Sequence, residues 1–103
     1  MLVAIASTDG ETVNEHFGRA ERFWIFEVTD SQQSLIVVRN CQPLSTGDTS
    51  HPFDPAKMAT VLETIKDCER VYCTKIGDRP RRELENAGIS PVIYNGAIPA
   101  IPV

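Results

Sequence analysis

Phe23-Trp24-Ile25-Phe26-Glu27-Val28 is apolar on both faces apart from Glu27. A strand of that composition must be covered on both sides, which sets a layered fold. Upstream, Leu2-Val3-Ala4-Ile5-Ala6 reads as a second buried strand, ended by the turn chemistry of Ser7-Thr8-Asp9-Gly10. Downstream, the polar turn Thr29 to Gln33 leads into a short β-branched strand, Leu35-Ile36-Val37-Val38. Three strands with short joins read as an antiparallel meander.

Beyond the long polar loop Asn40 to Phe53, expected to be functional or mobile, Asp54-Pro55 has the form of an N-cap with proline at the first helical position. Met58, Val61, Leu62, Ile65 and Cys68 then recur at helical spacing, with Lys57, Thr60, Glu63, Thr64 and Lys66 facing away. Val71-Tyr72-Cys73 is a fourth strand. Ile76-Gly77 turns the chain, and Asp78 is expected to cap a second helix through Ala87. Gly88 suits the C′ position, with Ile89 folding back on Leu84. Pro91 to Tyr94 is the last strand and Asn95-Gly96 another turn. The tail from Ala97, with Pro99 and Pro102, is not expected to form a stable helix.

The order β-β-β-α-β-α-β gives an α/β fold: a mixed five-stranded sheet flanked by helices, in one domain spanning residues 1–103. In a meander the third strand runs parallel to the first, and right-handed crossovers make the fourth and fifth parallel as well. The carboxyl ends of the first, third and fourth strands then share one edge. The loops leaving them carry His16, Cys41 and Lys75, and open α/β sheets bind ligands at that edge.

Composition narrows the function. The net charge of −4 argues against a nucleic-acid surface. The longest apolar runs are of strand length, and no signal-peptide pattern opens the chain, so a cytoplasmic protein without a membrane partner is expected. The three cysteines are odd in number and form no Cys-x-x-Cys pair, against a disulfide framework or zinc knuckle.

Val13-Asn14-Glu15-His16-Phe17-Gly18-Arg19-Ala20 places an imidazole, a ring, a glycine and a guanidinium on one loop. His16 can ligate a metal through a neutral ring nitrogen, or hydrogen-bond a carbonyl and pin the loop. Gly18 allows close approach of a ligand, or supplies a left-handed turn. Phe17 is expected to plug the core. Cys41 is a soft metal ligand or a half-buried small hydrophobe. Cys73 faces either the loop edge or a helix, with core filling the favoured reading. Cys68 is expected to be structural and His51 solvated. Lys75-Ile76-Gly77-Asp78-Arg79-Pro80-Arg81-Arg82 sets four cations at a helix start, where they oppose the dipole unless an anion binds. The alternative is local pairing, Arg79 with Glu83 and Arg81 with Glu85. No nucleophile elbow or P-loop is present. Asp9 is the sole candidate carboxylate on the first strand, so no catalytic residue is assigned.

Val3 to Ser7, Val13 to Ala20, Cys68, Cys73-Thr74-Lys75-Ile76-Gly77-Asp78-Arg79-Pro80-Arg81 and Leu84-Glu85-x-Ala87-Gly88-Ile89 resemble the dinitrogenase iron–molybdenum cofactor biosynthesis family, the NifX-like group that includes the carboxy-terminal domain of NifB. The resemblance runs from Leu2 to about Pro99. It implies a ribonuclease-H-like fold and a binding role toward iron–molybdenum cofactor or an iron–sulfur precursor cluster, in company with cluster donor and acceptor proteins. His16 carries over as the cluster contact, with Cys41 and Cys73 as further candidates. Arg19, Lys75 and Arg79 are expected to balance cluster charge, and Gly18 and Gly77 to let backbone approach. The radical-SAM region of full NifB, with its cysteine triplet, has no counterpart in this sequence. The rival expectations are a regulatory interaction module without cofactor and a degenerate ribonuclease-H-like hydrolase.

Overall fold

The computed structural model describes residues 1–44 and 54–102. His51 and most of the expected long loop lie outside them. Five strands form the main sheet: β1 (Leu2–Ala6), β3 (Arg22–Val28), β4 (Gln33–Asn40), β5 (Arg70–Cys73) and β6 (Ser90–Ile93), in the order β4-β3-β1-β5-β6. β3 is antiparallel to both β1 and β4, while β5 is parallel to β1 and β6 to β5. Two reversals leave β4 parallel to β1, so the carboxyl ends of β1, β4 and β5 share one edge, as the meander requires.

Alternation along the strands divides the core in two. Ala4, Ala6, Phe23, Ile25, Val71 and Cys73 face helices α1 (Pro55–Ile65) and α2 (Asp78–Asn86), meeting Met58, Val61, Ile65 and Leu84. Val3, Ile5 and Tyr72 face the other way, with Trp24, Phe26 and Val28 beside them. That second face is covered by the tail, whose Ile98 and Ile101 are buried. The double-sided apolarity of Phe23 to Val28 therefore has two separate partners.

The tail is held by a feature that short-range patterning does not show. Strands β2 (Thr12–Val13) and β7 (Gly96–Ala97) pair antiparallel in a second small sheet. The Ile98 N–H adds a bond to the Glu11 carbonyl at 2.9 Å. A single 3-10 turn, Ile98–Ala100, follows.

Both helix starts use different devices. Asp54 caps α1, its carboxylate accepting from the N–H of Ala56 and Lys57. At α2 the expected cap moves by one residue. Gly77 is the N-cap, and Asp78 lies in the first turn with no capping bond from a side chain. An acid there still favours the helix dipole. The end of α2 is a Schellman motif, with Ile89 N–H to Leu84 C=O at 2.9 Å and Gly88 N–H to Glu85 C=O at 3.0 Å. Among the described residues no helix is long and apolar enough to cross a membrane.

Candidate functional site

The loop after β1 is braced before it reaches the rim of the sheet. The Asp9 carboxylate accepts from the N–H of Glu11 and Thr12 and from the hydroxyls of Ser7 and Thr12. The Glu11 amide above all holds the Asp9 carboxyl down to about 2. The Asn14 side chain bonds Thr8 twice, at 2.8 Å each. Asp9 is thus committed to the geometry of this turn.

Two backbone bonds then lock this loop to the one leaving β5. Thr74 N–H donates to the Glu15 carbonyl at 3.0 Å, and Phe17 N–H donates to the Lys75 carbonyl at 2.9 Å. His16 lies between those two anchors. Its own N–H donates to the Glu15 carboxylate at 2.8 Å, and its carbonyl accepts from Arg19 N–H. The imidazole is half-buried, and among the described residues neither ring nitrogen makes a hydrogen bond. The loop is pinned by backbone, so the pinning role considered for the ring is filled without it.

Around His16 the candidates separate. Phe17 is 2% exposed and packs on Phe23, with ring centroids 5.7 Å apart. Gly18 lies within the 3-10 turn Phe17–Arg19 and is not a left-handed residue, so it does not supply the left-handed turn. Arg19 and Lys75 are exposed on the two locked loops. Gly77 opens the next turn, where an added Cβ would meet only Pro80 at 3.6 Å. Arg79 is exposed but keeps Glu83 at 3.8 Å, so the local pairing is present for that cation.

The thiols fit a ligand role less well. Cys41 lies at the rim beyond β4, its N–H bonded to Glu21 and its thiol donating to the Ala20 carbonyl at 3.3 Å. Burial, with Glu21 adding, pushes that thiol up to about 11. Cys73 is fully buried within the helix-side core, the favoured reading of its position, and burial pushes its thiol up to about 11 as well. Cys68 is structural as expected, buried beside Asp67, with its thiol pushed up to about 12.

The rim therefore offers one imidazole and three cations. Among the described residues no group of three or more histidine, cysteine or acidic side chains could hold a metal ion. A neutral imidazole can ligate a metal and exposed cations can offset negative charge. Glu15 and Thr74, which flank His16, were missed by reading side-chain chemistry, because each of their bonds here involves a main-chain group. The one available signal is the acid directly before His16. A separate hollow of about 760 Å³ lies on the tail face, lined by Thr12, Phe26, Gln33, Ile98 and Ile101 among others. No rim candidate lines it.

An open mixed sheet with two helices on one face defines a small α/β domain. The chain belongs to the dinitrogenase iron–molybdenum cofactor family, whose model matches residues 1–100. It is 40% identical over 96 residues to the FeMo cofactor biosynthesis protein NifB of Frankia alni, covering 92% of this chain and 19% of that protein. It is 30% identical over 92 residues to the protein NifX of Azotobacter vinelandii, covering 89% of this chain and 55% of that one. The chain thus spans about a fifth of that NifB and about half of that NifX. The crystal structure of PH0822 superposes with a TM-score of 0.72 at 25% identity, covering 99% of this chain and 85% of that one.

Proposed function

We propose that this domain carries an anionic metal–sulfur cluster, the iron–molybdenum cofactor or an iron–sulfur precursor, during nitrogenase-type cofactor assembly, and that it catalyses no reaction itself. The cluster is cargo, passed between donor and acceptor proteins in the cytoplasm. His16 is its point of attachment. Arg19, Lys75 and Arg79 offset its charge, and Gly18 and Gly77 leave room beside the backbone. Cys41 is a secondary contact that must lose its proton and its bond to Ala20 before it can ligate. In this reading the layout is ribonuclease-H-like, supported by three antiparallel strands followed by two parallel ones.

One observation carries the reading: a half-buried imidazole without a ring hydrogen bond among the described residues, on a loop locked to a cationic turn. The family and the names of the relatives support the choice of guest. Asp9's commitment to its turn supports the absence of hydrolysis.

The test is anaerobic incubation with isolated cofactor, desalting, then visible absorption and iron and molybdenum analysis. The wild type should retain cluster, and His16→Ala should retain at least about tenfold less, the scale on which lost metal-site contacts act. Retention should fall on acidification, because only neutral imidazole offers a lone pair. Lys75→Ala should bind but release cluster at lower salt. Equal retention by wild type and His16→Ala would remove His16 from the site. No retention by the wild type would favour a regulatory module.

A further inference from the structure

Asn95-Gly96 carries the chain from β6 to β7, and the turn is clamped from both sides. Tyr94 N–H donates to the Cys73 carbonyl at 3.0 Å, and the Tyr94 hydroxyl reaches past the dipeptide to the Ala97 carbonyl at 3.1 Å. Gly96 has φ +151°, which L side chains rarely adopt, so the turn requires glycine after Asn95. Asn95 is exposed, and among the described residues its side-chain amide makes no hydrogen bond. An asparagine before glycine is open to ring closure, because no Cβ shields the following nitrogen. The comparable positions are shut. The Asn14 amide is bonded twice to Thr8, at 2.8 Å each. Asn40 and Asn86 precede Cys41 and Ala87, whose N–H groups are bonded to the carbonyls of Glu21 and of Glu83 and Leu84. In Asp9-Gly10 the Gly10 N–H donates to the Ser7 hydroxyl oxygen at 2.8 Å, and the Asp9 carboxylate is held by its own turn. Gly96 is held in a ladder two residues long, opposite Val13. A ladder that short opens without unfolding the main sheet.

We propose that Asn95 is a site of spontaneous covalent modification, and that its conversion releases the tail from the sheet. When the β2–β7 pair opens, the Gly96 nitrogen loses its proton and bonds to Asn95 Cγ. The Cγ–Nδ2 bond breaks and ammonia leaves. Water then opens the cyclic imide at either carbonyl, leaving aspartate or isoaspartate. Either product adds a negative charge. Isoaspartate also puts an extra methylene into the main chain at residue 95. That lengthens the span closed by the Tyr94–Ala97 bond and moves β7 out of register with β2. Ile98 and Ile101 follow directly on β7, so the face that carries Val3, Ile5 and Tyr72 loses its cover.

The test holds native wild type in warm, mildly alkaline buffer beside a sample unfolded in urea. Both are mapped by tandem mass spectrometry and by isoaspartyl methyltransferase labelling. Native Asn95 should gain the mass difference between an amide and an acid before Asn14, Asn40 or Asn86 does, and should label as isoaspartate. Asn95→Gln keeps an amide at an exposed position but closes the larger ring far more slowly, so it should stay unmodified with an unchanged melting temperature. The isoaspartate form, separated from its parent, should lose amide-exchange protection at Gly96, Ala97 and Ile98 while β1 and β5 keep theirs. The proposal fails if Asn95 changes only in urea, which would show that the ladder closes the site. It also fails if another asparagine of the native protein changes first. Unchanged protection of β7 in the isoaspartate form would overturn the release of the tail.

Discussion

At the residue scale, two glycines with the same backbone sign differ in what surrounds them. Gly10 has φ +74°, and a Cβ there would fall 2.5 Å from the Trp24 ring. That ring cannot swing away cheaply, because its indole N–H is bonded to the Ser7 carbonyl at 3.1 Å. Gly88 has φ +81° and nothing within 4 Å. Gly10→Ala should therefore cost about 2–4 kcal/mol, left-handed strain plus overpacking, and Gly88→Ala about 1 kcal/mol. Urea midpoints of the two variants check the difference. The thiols give a second prediction at this scale. With its proton held to about pH 11, Cys41 is about one-thousandth thiolate at pH 8, and it should react slowly with a disulfide reagent. Cys68 and Cys73 should react only on unfolding, so a native titration should find at most one thiol. Chemistry at this scale was half legible. His16 and the cations could be named from type and spacing. For Cys73 core filling was the favoured reading, although a short apolar strand does not by itself say which face meets the helices.

At the element scale, local rules carried far. The Asp54-Pro55 start of α1 and the Gly88-Ile89 end of α2 follow from capping chemistry that acts within four or five residues. The shift of the α2 cap from Asp78 to Gly77 shows the limit: the turn that leaves β5 sets which residue is extended, and the loop lock at Lys75 fixes that turn. The pairing of β2 with β7 was not readable at all. Two residues are too few for a period, and their partner lies some eighty positions away. An ion pair ties β4 to the end of α1. The Arg39 guanidinium bonded to Asp67 holds its carboxyl down from 3.8 to about 2. A depressed folded pKa gives stability that is complete above the unfolded value and lost as pH falls through the folded one. The tie should thus act above about pH 5 and vanish near pH 2, with solvent exposure holding it to no more than about 1 kcal/mol. Asp67→Asn should flatten the fall of the urea midpoint over that window, and an unchanged slope would show that the pair does not matter.

At the scale of the whole molecule, topology converts ordered motifs into a site. The His-Phe-Gly and Lys-Ile-Gly segments lie far apart in sequence, yet β1 and β5 are adjacent and parallel, so the loops leaving them meet. That meeting was legible from element order and strand direction alone, and the hydrogen bonds from Thr74 and Phe17 are its physical form. What sequence order did not carry is the other face, where the tail covers the sheet with Ile98 and Ile101. The domain as a whole is acidic, at −4, while its rim gathers Arg19, Lys75 and Arg79. In the proposed function these cations meet the anionic guest. The central claim is that the His16 ring touches that guest. Pulsed electron paramagnetic resonance on the cluster-loaded protein, grown with ¹⁵N-labelled histidine, reads this contact. The account predicts a directly coupled imidazole nitrogen that survives His51→Ala and disappears in His16→Ala. A loaded cluster whose spectrum is the same in wild type and His16→Ala would contradict it.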